Sequence, residues 1–107
     1  MVNERRRAPR IKVDLVARWE GVLNQEQAHI TDLSITGCFL LSGGKVEAKE
    51  LVRLEIELPG QQPLYFWAEV VEVATEIGFA VRFTAMEDED KKRLSKFINS
   101  QMVQKSN

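Results

Sequence analysis

The sequence has few of the residues on which disulfide frameworks and metal sites depend. It contains one cysteine, Cys38, and one histidine, His29, among its 107 residues. A single cysteine excludes an internal disulfide, and a single histidine excludes a site with several histidine ligands. No apolar run approaches the roughly 20 residues of a membrane-spanning helix, which argues against membrane insertion. The N-terminus runs into arginines without an apolar stretch, so the sequence predicts no secretory signal and a cytoplasmic location.

Charge of either sign is also unevenly distributed along the chain. Residues 1–18 carry six basic and two acidic side chains, whereas the remaining 89 carry nine basic and fourteen acidic ones. A basic arm on an acidic body indicates an anionic partner for the arm, although a solvated terminus would have the same composition. We expect residues 1–10 to form a flexible arm, because so polar a terminus cannot bury enough apolar surface to order itself.

The dominant pattern in the sequence is a two-residue period in hydropathy. Six segments predict short strands, most of them by the alternation of apolar and polar residues, whereas the third is apolar throughout. In the fifth segment the apolar phase shifts between Val70 and Val71, which predicts a β-bulge or a sharp bend of the barrel strand. Trp19 shares the apolar phase of the first strand and is assigned to the core; Trp67 can stack on a base, but its place in a strand favours packing. The six segments are residues 11–20, 28–32, 38–41, 51–58, 64–73 and 77–83.

The period changes after the sixth strand. The acidic run 87–90 precedes basic residues, and Leu94, Phe97, Ile98 and Met102 recur at helical spacing. We expect a helix that covers an open end of the sheet, followed by a disordered tail over residues 103–107. The whole pattern predicts an all-β dominated fold, a six-stranded antiparallel (split) β-barrel with a C-terminal α-helix, over residues 11–102.

Catalysis has little support in this sequence. His29, Asp32 and Ser34 are the residue types of a hydrolase triad, but they lie within six positions of one extended segment. There His29 and Ser34 point to opposite faces, so a base cannot reach its nucleophile. Cys38 lies in a hydrophobic strand and is interpreted as a core thiol. We therefore predict no catalytic residues, no metal site and no cofactor.

Two segments fit one ligand. Arg6 and Arg10, in Arg-x-x-x-Arg spacing, directly precede the first strand, and Asp32-x-Ser34-x-x-Gly37 lies at the turn between the second and third strands. Arginine guanidinium groups match guanine O6 and N7 and phosphate oxygens. Asp32 and Ser34 project from one face of an extended chain and can accept from guanine N–H groups, although both types also stabilise local turns. Gly37 permits a close approach or a positive φ. Together these groups indicate recognition of a guanine nucleotide with two phosphates.

In this order and at this spacing, the two motifs resemble the two-part signature of PilZ domains, bacterial receptors for cyclic di-GMP. The resemblance extends over residues 5–102 and includes the strand 77–83 and the closing helix. It implies that the two arginines grip the guanine Hoogsteen edges and the phosphates, and that Asp32 and Ser34 receive the guanine N–H donors. It also implies that Gly37 shapes the turn beneath the ligand.

Arg5 directly precedes the first motif arginine. In the family that this sequence resembles, an arginine at this place is associated with binding of an intercalated ligand dimer. Four arginines, three of them consecutive at 5–7, also exceed the two negative charges of one cyclic di-GMP. The sequence therefore predicts two ligands per chain, with Arg5 assigned to the second.

The resemblance implies a stand-alone cyclic di-GMP effector that signals to an unidentified downstream protein, in motility, surface polysaccharide or biofilm control. The alternatives are a ligand-independent adaptor of the same fold in pilus or motility machinery, and a barrel that binds nucleic acid. Intact motifs argue against the adaptor, and the acidic body argues against nucleic acid. We accordingly expect no nucleic acid polymer and no membrane insertion.

Overall fold

The computed structural model describes residues 9–74 and 76–106, which form six antiparallel strands and one helix. Neighbouring strands follow the order β1-β2-β3-β6-β5-β4, and β4 pairs with β1, which closes the barrel. The predicted six-stranded antiparallel barrel with a C-terminal helix is confirmed. The elements are β1 (Ile11–Glu20), β2 (Gln25–Leu33), β3 (Gly37–Leu41), β4 (Leu51–Ile56), β5 (Leu64–Ala74), β6 (Gly78–Ala85) and α1 (Asp88–Ser106).

The core is built from the inward positions of the alternating strands. Trp19 is buried there, as predicted, with its ring edge-on to Phe79 at 5.2 Å between ring centroids. Cys38 is buried too, and the burial raises the pKa of its thiol far above the usual range, so that the thiol stays neutral. This agrees with the interpretation of Cys38 as a core residue.

The fifth strand confirms one prediction and corrects another. The register of β5 against β6 shifts between Val70 and Glu72, where the sequence predicts a bulge. Trp67, however, lies on the outside of the barrel, so the expectation that it packs in the core was wrong. Its neighbours Phe66 and Ala68 both face the core, and strand alternation therefore directs Trp67 outward.

The helix uses the face that the sequence predicts. Leu94 and Ile98 are buried in the core, and Phe97 packs partly buried against it. The helix continues to Ser106, past the predicted boundary after Met102; that the tail over residues 103–107 is disordered stays a prediction, and Asn107 lies outside the described residues. No glycine or proline interrupts this part of the chain, and backbone hydrogen bonding therefore continues beyond the apolar face. Within the described residues, no helix is long and apolar enough to cross a bilayer.

The strand directions divide the connections between two ends of the barrel. The turn 34–36 and the loop 57–63 lie at one end, which we call the motif end. The turn 21–24 and the loop 42–50 lie at the other, which we call the opposite end. Arg93 of α1 donates to the backbone carbonyl oxygen of Gln62, which attaches the helix to the motif end.

Candidate functional site

The register of β1 against β2 brings the two sequence motifs together at the motif end. Ile11 pairs with Leu33, and Lys12 pairs with Asp32. Arg10 directly precedes Ile11, and Ser34 directly follows Leu33, so the second arginine of the first motif enters the barrel beside the second motif. Arg10 is exposed. The remaining predicted arginines, Arg5 and Arg6, lie outside the described residues, as does most of the predicted arm.

Ser34 is the centre of the motif turn. Its Oγ accepts from the backbone N–H of Thr36 at 3.1 Å and from that of Gly37 at 3.3 Å, and it lies 3.0 Å from Thr36 Oγ1. The backbone N–H of Ser34 also donates to the Gly37 carbonyl oxygen at 2.9 Å. The residue is only 4% exposed. Its hydroxyl therefore shapes the turn from within, which is the local role that serine plays in such turns.

Gly37 allows β3 to lie close against β6. A Cβ atom at this position would collide with the backbone carbonyl oxygen of Val81. The turn is also tied to β6 by the Phe83 N–H, which donates to the Thr36 carbonyl oxygen at 2.9 Å. Of the two reasons that the sequence suggests for this glycine, the structure shows the close approach, and the approaching group is backbone.

Asp32 differs from Ser34 in its partners. Its carboxylate lies 3.4 Å from the Lys12 ammonium, with the Asp32 side chain 28% exposed. Among the described residues it accepts no backbone N–H. A carboxylate offers about four acceptor positions, and one ammonium contact therefore leaves capacity for further donors. Asp32 is thus positioned to bind a donor from outside the barrel.

Two basic residues beside the motifs were missed by the sequence reasoning. Lys12 pairs with Asp32 across β1 and β2, and Arg82 pairs with Gly37 across β3 and β6. The Arg82 guanidinium forms an ion pair with Glu69. The alternation of β1 already directs Lys12 outward next to Arg10, which was a usable signal. No signal in the sequence reveals Arg82, because the pairing of β3 with β6 joins distant parts of the chain.

The residue types of a hydrolase triad do not form one here. His29 Nδ1 lies 3.2 Å from the Asp14 carboxylate on the exposed outer face of the barrel. The Ser34 hydroxyl is instead engaged in its own turn, as described above. Over residues 9–74 and 76–106, no group of three or more histidine, cysteine or acidic side chains is arranged to hold a metal ion.

Comparison with known proteins gives one family and several structures of the same fold. The family model described as PilZ domain matches residues 4–100. The structure of the Bacillus subtilis inhibitor of motility (MotI/DgrA) superposes with a TM-score of 0.78 at 17% identity, over 92% of this chain and 52% of that one. The YcgR protein from Escherichia coli, in complex with c-di-GMP, gives 0.80 at 16% identity, over 95% and 48%.

A third structure, the PilZ domain of CeSA from a cellulose-synthesizing bacterium, gives a TM-score of 0.69 at 14% identity, over 89% of this chain and 99% of that one. At these identities the likeness is one of fold. The chain spans about half the length of the first two structures. A comparison with the curated proteins gives no significant match.

Proposed function

Since this chain belongs to the PilZ domain family, whose model matches residues 4–100, we propose that it is a receptor for cyclic di-GMP. The observation that carries the proposal is the antiparallel register of β1 and β2, which sets Arg10 beside the turn that holds Asp32 and Gly37. A similar barrel, that of YcgR, was solved in complex with c-di-GMP.

The proposed site divides recognition between the arm and the turn. Arg6 and Arg10 bind the phosphates and the Hoogsteen edges of the guanines, because a guanidinium fork matches both kinds of acceptor. Asp32 accepts from the guanine N–H donors, since its partly exposed carboxylate retains acceptor capacity. Ser34 holds the turn through the Thr36 and Gly37 N–H groups, and that it also accepts a guanine N–H stays a prediction.

The proposed output is a change of surface rather than a reaction. The ligand neutralises basic charge at the motif end and covers part of the outer barrel next to the arm. A downstream protein binds the changed surface, and cyclic di-GMP dissociates chemically unchanged. We propose a pathway in motility or biofilm control; an inhibitor of motility and a PilZ domain from a cellulose-synthesizing bacterium, which share this fold, support the proposal.

Isothermal titration calorimetry tests the receptor function directly. We expect saturable binding of cyclic di-GMP and no comparable binding of GTP or of a short single-stranded oligonucleotide. We expect Arg10→Ala to abolish measurable cyclic di-GMP binding while the midpoint of thermal unfolding changes little. The reason is that the exposed Arg10 side chain contributes to ligand binding and not to the packing of the core. A bidentate contact to guanine contributes about 1–3 kcal/mol.

The matched control is Arg18→Ala, which removes an exposed arginine of β1, the strand that follows Arg10, at a place farther from the motif turn. It should bind cyclic di-GMP like the unsubstituted protein. Unchanged affinity in Arg10→Ala contradicts the assignment of Arg10. Binding of the oligonucleotide in preference to cyclic di-GMP contradicts the receptor function.

A further inference from the structure

An open groove crosses the outer face of the barrel away from the motif turn. It has a volume of about 1120 Å³ and extends from β2 across β1, β4 and β5 to the start of α1. Neighbouring rows of outward side chains form its floor: Arg53 pairs with Trp67, and Glu55 pairs with Tyr65. None of the four takes part in the proposed cyclic di-GMP site.

The centre of the groove is aromatic and exposed. Tyr65 is 58% exposed and Trp67 is 45% exposed, although both rings lie on a strand whose other face forms the core. The Arg53 guanidinium lies over the Trp67 ring, with 5.8 Å between its central carbon and the ring centroid. Tryptophan, tyrosine and arginine are the side chains most enriched among the residues that dominate binding energy at protein interfaces.

The rim of the groove is acidic. Five acidic side chains line it against the two arginines Arg18 and Arg53. One of the five, Asp90, is paired with Arg93. In the part of the chain that the structure describes, the other four form no ion pair; Glu20 and Glu55 face Arg53 and Arg18 across β1 and β4, and the groove keeps an excess of acidic side chains over arginines. These four are Glu20, Glu26, Glu55 and Glu87.

We propose that this groove is the docking site for a basic segment of a partner protein, anchored by an aromatic or aliphatic side chain. The apolar anchor covers Trp67 and Tyr65, and lysine or arginine side chains of the partner pair with the acidic rim. Complementary charge of this kind selects the partner and accelerates its approach. The inference rests on the proposed receptor function, because it describes the chemistry of the downstream partner of that receptor.

An ion pair connects β5, which carries the centre of the groove, to the strand beside the motif turn. Glu69, two residues after Trp67 on β5, forms the ion pair with Arg82, and Arg82 is the register partner of Gly37. A ligand at the motif end that changes the partners of Arg82 therefore acts on the strand that carries Trp67. The ligand and partner sites are separate, and the Glu69–Arg82 ion pair connects β5 to the strand beside Gly37.

Selection from a library of random linear peptides tests the proposal, with the purified full chain as bait. We expect the enriched peptides to carry net positive charge and at least one aromatic or aliphatic residue. Their affinity should fall about tenfold or more in Trp67→Ala, and similarly in the double variant Glu20→Lys/Glu26→Lys, equivalent to about 1.4 kcal/mol. The matched control is Leu23→Ala, which removes an exposed apolar side chain at the opposite end and should leave peptide affinity unchanged.

Three results would overturn the proposal. The first is that the enriched peptides are neutral or acidic. The second is that peptide affinity is unchanged in Trp67→Ala, and the third is that Leu23→Ala weakens peptide binding as much as Trp67→Ala does. A concentration-dependent dimer that Trp67→Ala abolishes, measured by analytical ultracentrifugation, would identify a second copy of this chain as the occupant instead. Cyclic di-GMP titration of the same variants separates the two proposals: Trp67→Ala should bind the dinucleotide normally. If the unsubstituted chain binds the peptides but not cyclic di-GMP, the receptor function is contradicted and the docking role of the groove stands.

Discussion

Both ends of the barrel carry an acidic side chain beside a turn, but the two carboxylates have different partners. At the opposite end, Glu50 accepts from the Val22 N–H at 2.8 Å and from the Glu47 N–H at 3.0 Å. At the motif end, Asp32 is paired with the Lys12 ammonium, and in the described residues it accepts no backbone N–H. Glu50 is therefore engaged in holding two loops together, whereas Asp32 keeps acceptor capacity for a ligand.

The difference separates an acid that stabilises the fold from an acid that we propose binds a ligand. Both residues lie near a glycine and at the edge of the barrel, and residue type alone does not separate them. The donors around each carboxylate do, because a carboxylate that holds a backbone N–H on each of its oxygens contributes to the stability of the loops and has less acceptor capacity left for a ligand. The same reasoning separates Ser34, which serves the turn, from Asp32 beside it.

The largest effect is expected where the motif turn depends on close packing. Gly37→Ala should lower the free energy of unfolding by about 3 kcal/mol, because the new methyl group collides with the backbone of β6. Gly43→Ala in the opposite-end loop is the matched control, since a Cβ there meets nothing within 4 Å. Urea unfolding measures both. Equal stabilities of the two variants would show that the motif turn does not require the close approach.

A smaller loss is expected at the opposite end. Glu50→Ala removes the acceptor of two backbone N–H groups and should lower the free energy of unfolding by about 1–2 kcal/mol. Cyclic di-GMP affinity should stay unchanged, because Glu50 lies at the far end of the barrel. Urea unfolding and calorimetry on the same preparation check the two parts. A weakened affinity without a loss of stability would reverse the roles assigned to the two ends.

The number of cyclic di-GMP molecules bound per chain is a further test of the motif end, in which a variant changes that number but still binds the ligand. We predict two cyclic di-GMP molecules per chain and, for Arg5→Leu, a change toward one. The reason is that four arginines exceed the charge of one ligand and that Arg5 is assigned to the second. Affinity should fall as salt is raised, because phosphate contacts are screened. Calorimetric titration decides the number, and one ligand per unsubstituted chain contradicts this prediction.

Local pattern predicted most of the barrel. Alternation located the strands, and the phase shift after Val70 located the bulge. The end of α1 was missed because its apolar face ends before its backbone hydrogen bonds do. Trp67 was misplaced because its position within a strand was weighed above the phase that Phe66 and Ala68 define.

The candidate site was predictable in its residue types but not in its partners. The spacing of Asp32, Ser34 and Gly37 identified the turn, yet the sequence could not say which side chain serves the turn and which faces outward. That distinction depends on where the Thr36 and Gly37 N–H groups point. The place of Arg82 beside Gly37 depends on the pairing of distant strands, which no local pattern contains.

The most direct test of the account compares Asp32→Ala with Glu50→Ala in calorimetric titrations with cyclic di-GMP and cyclic di-AMP. We predict that Asp32→Ala loses about tenfold or more in cyclic di-GMP affinity and much of its preference for guanine, because its carboxylate receives the guanine N–H donors. Glu50→Ala should retain both. An Asp32→Ala protein with unchanged affinity and unchanged guanine preference would contradict the assignment of Asp32 as the binding acid.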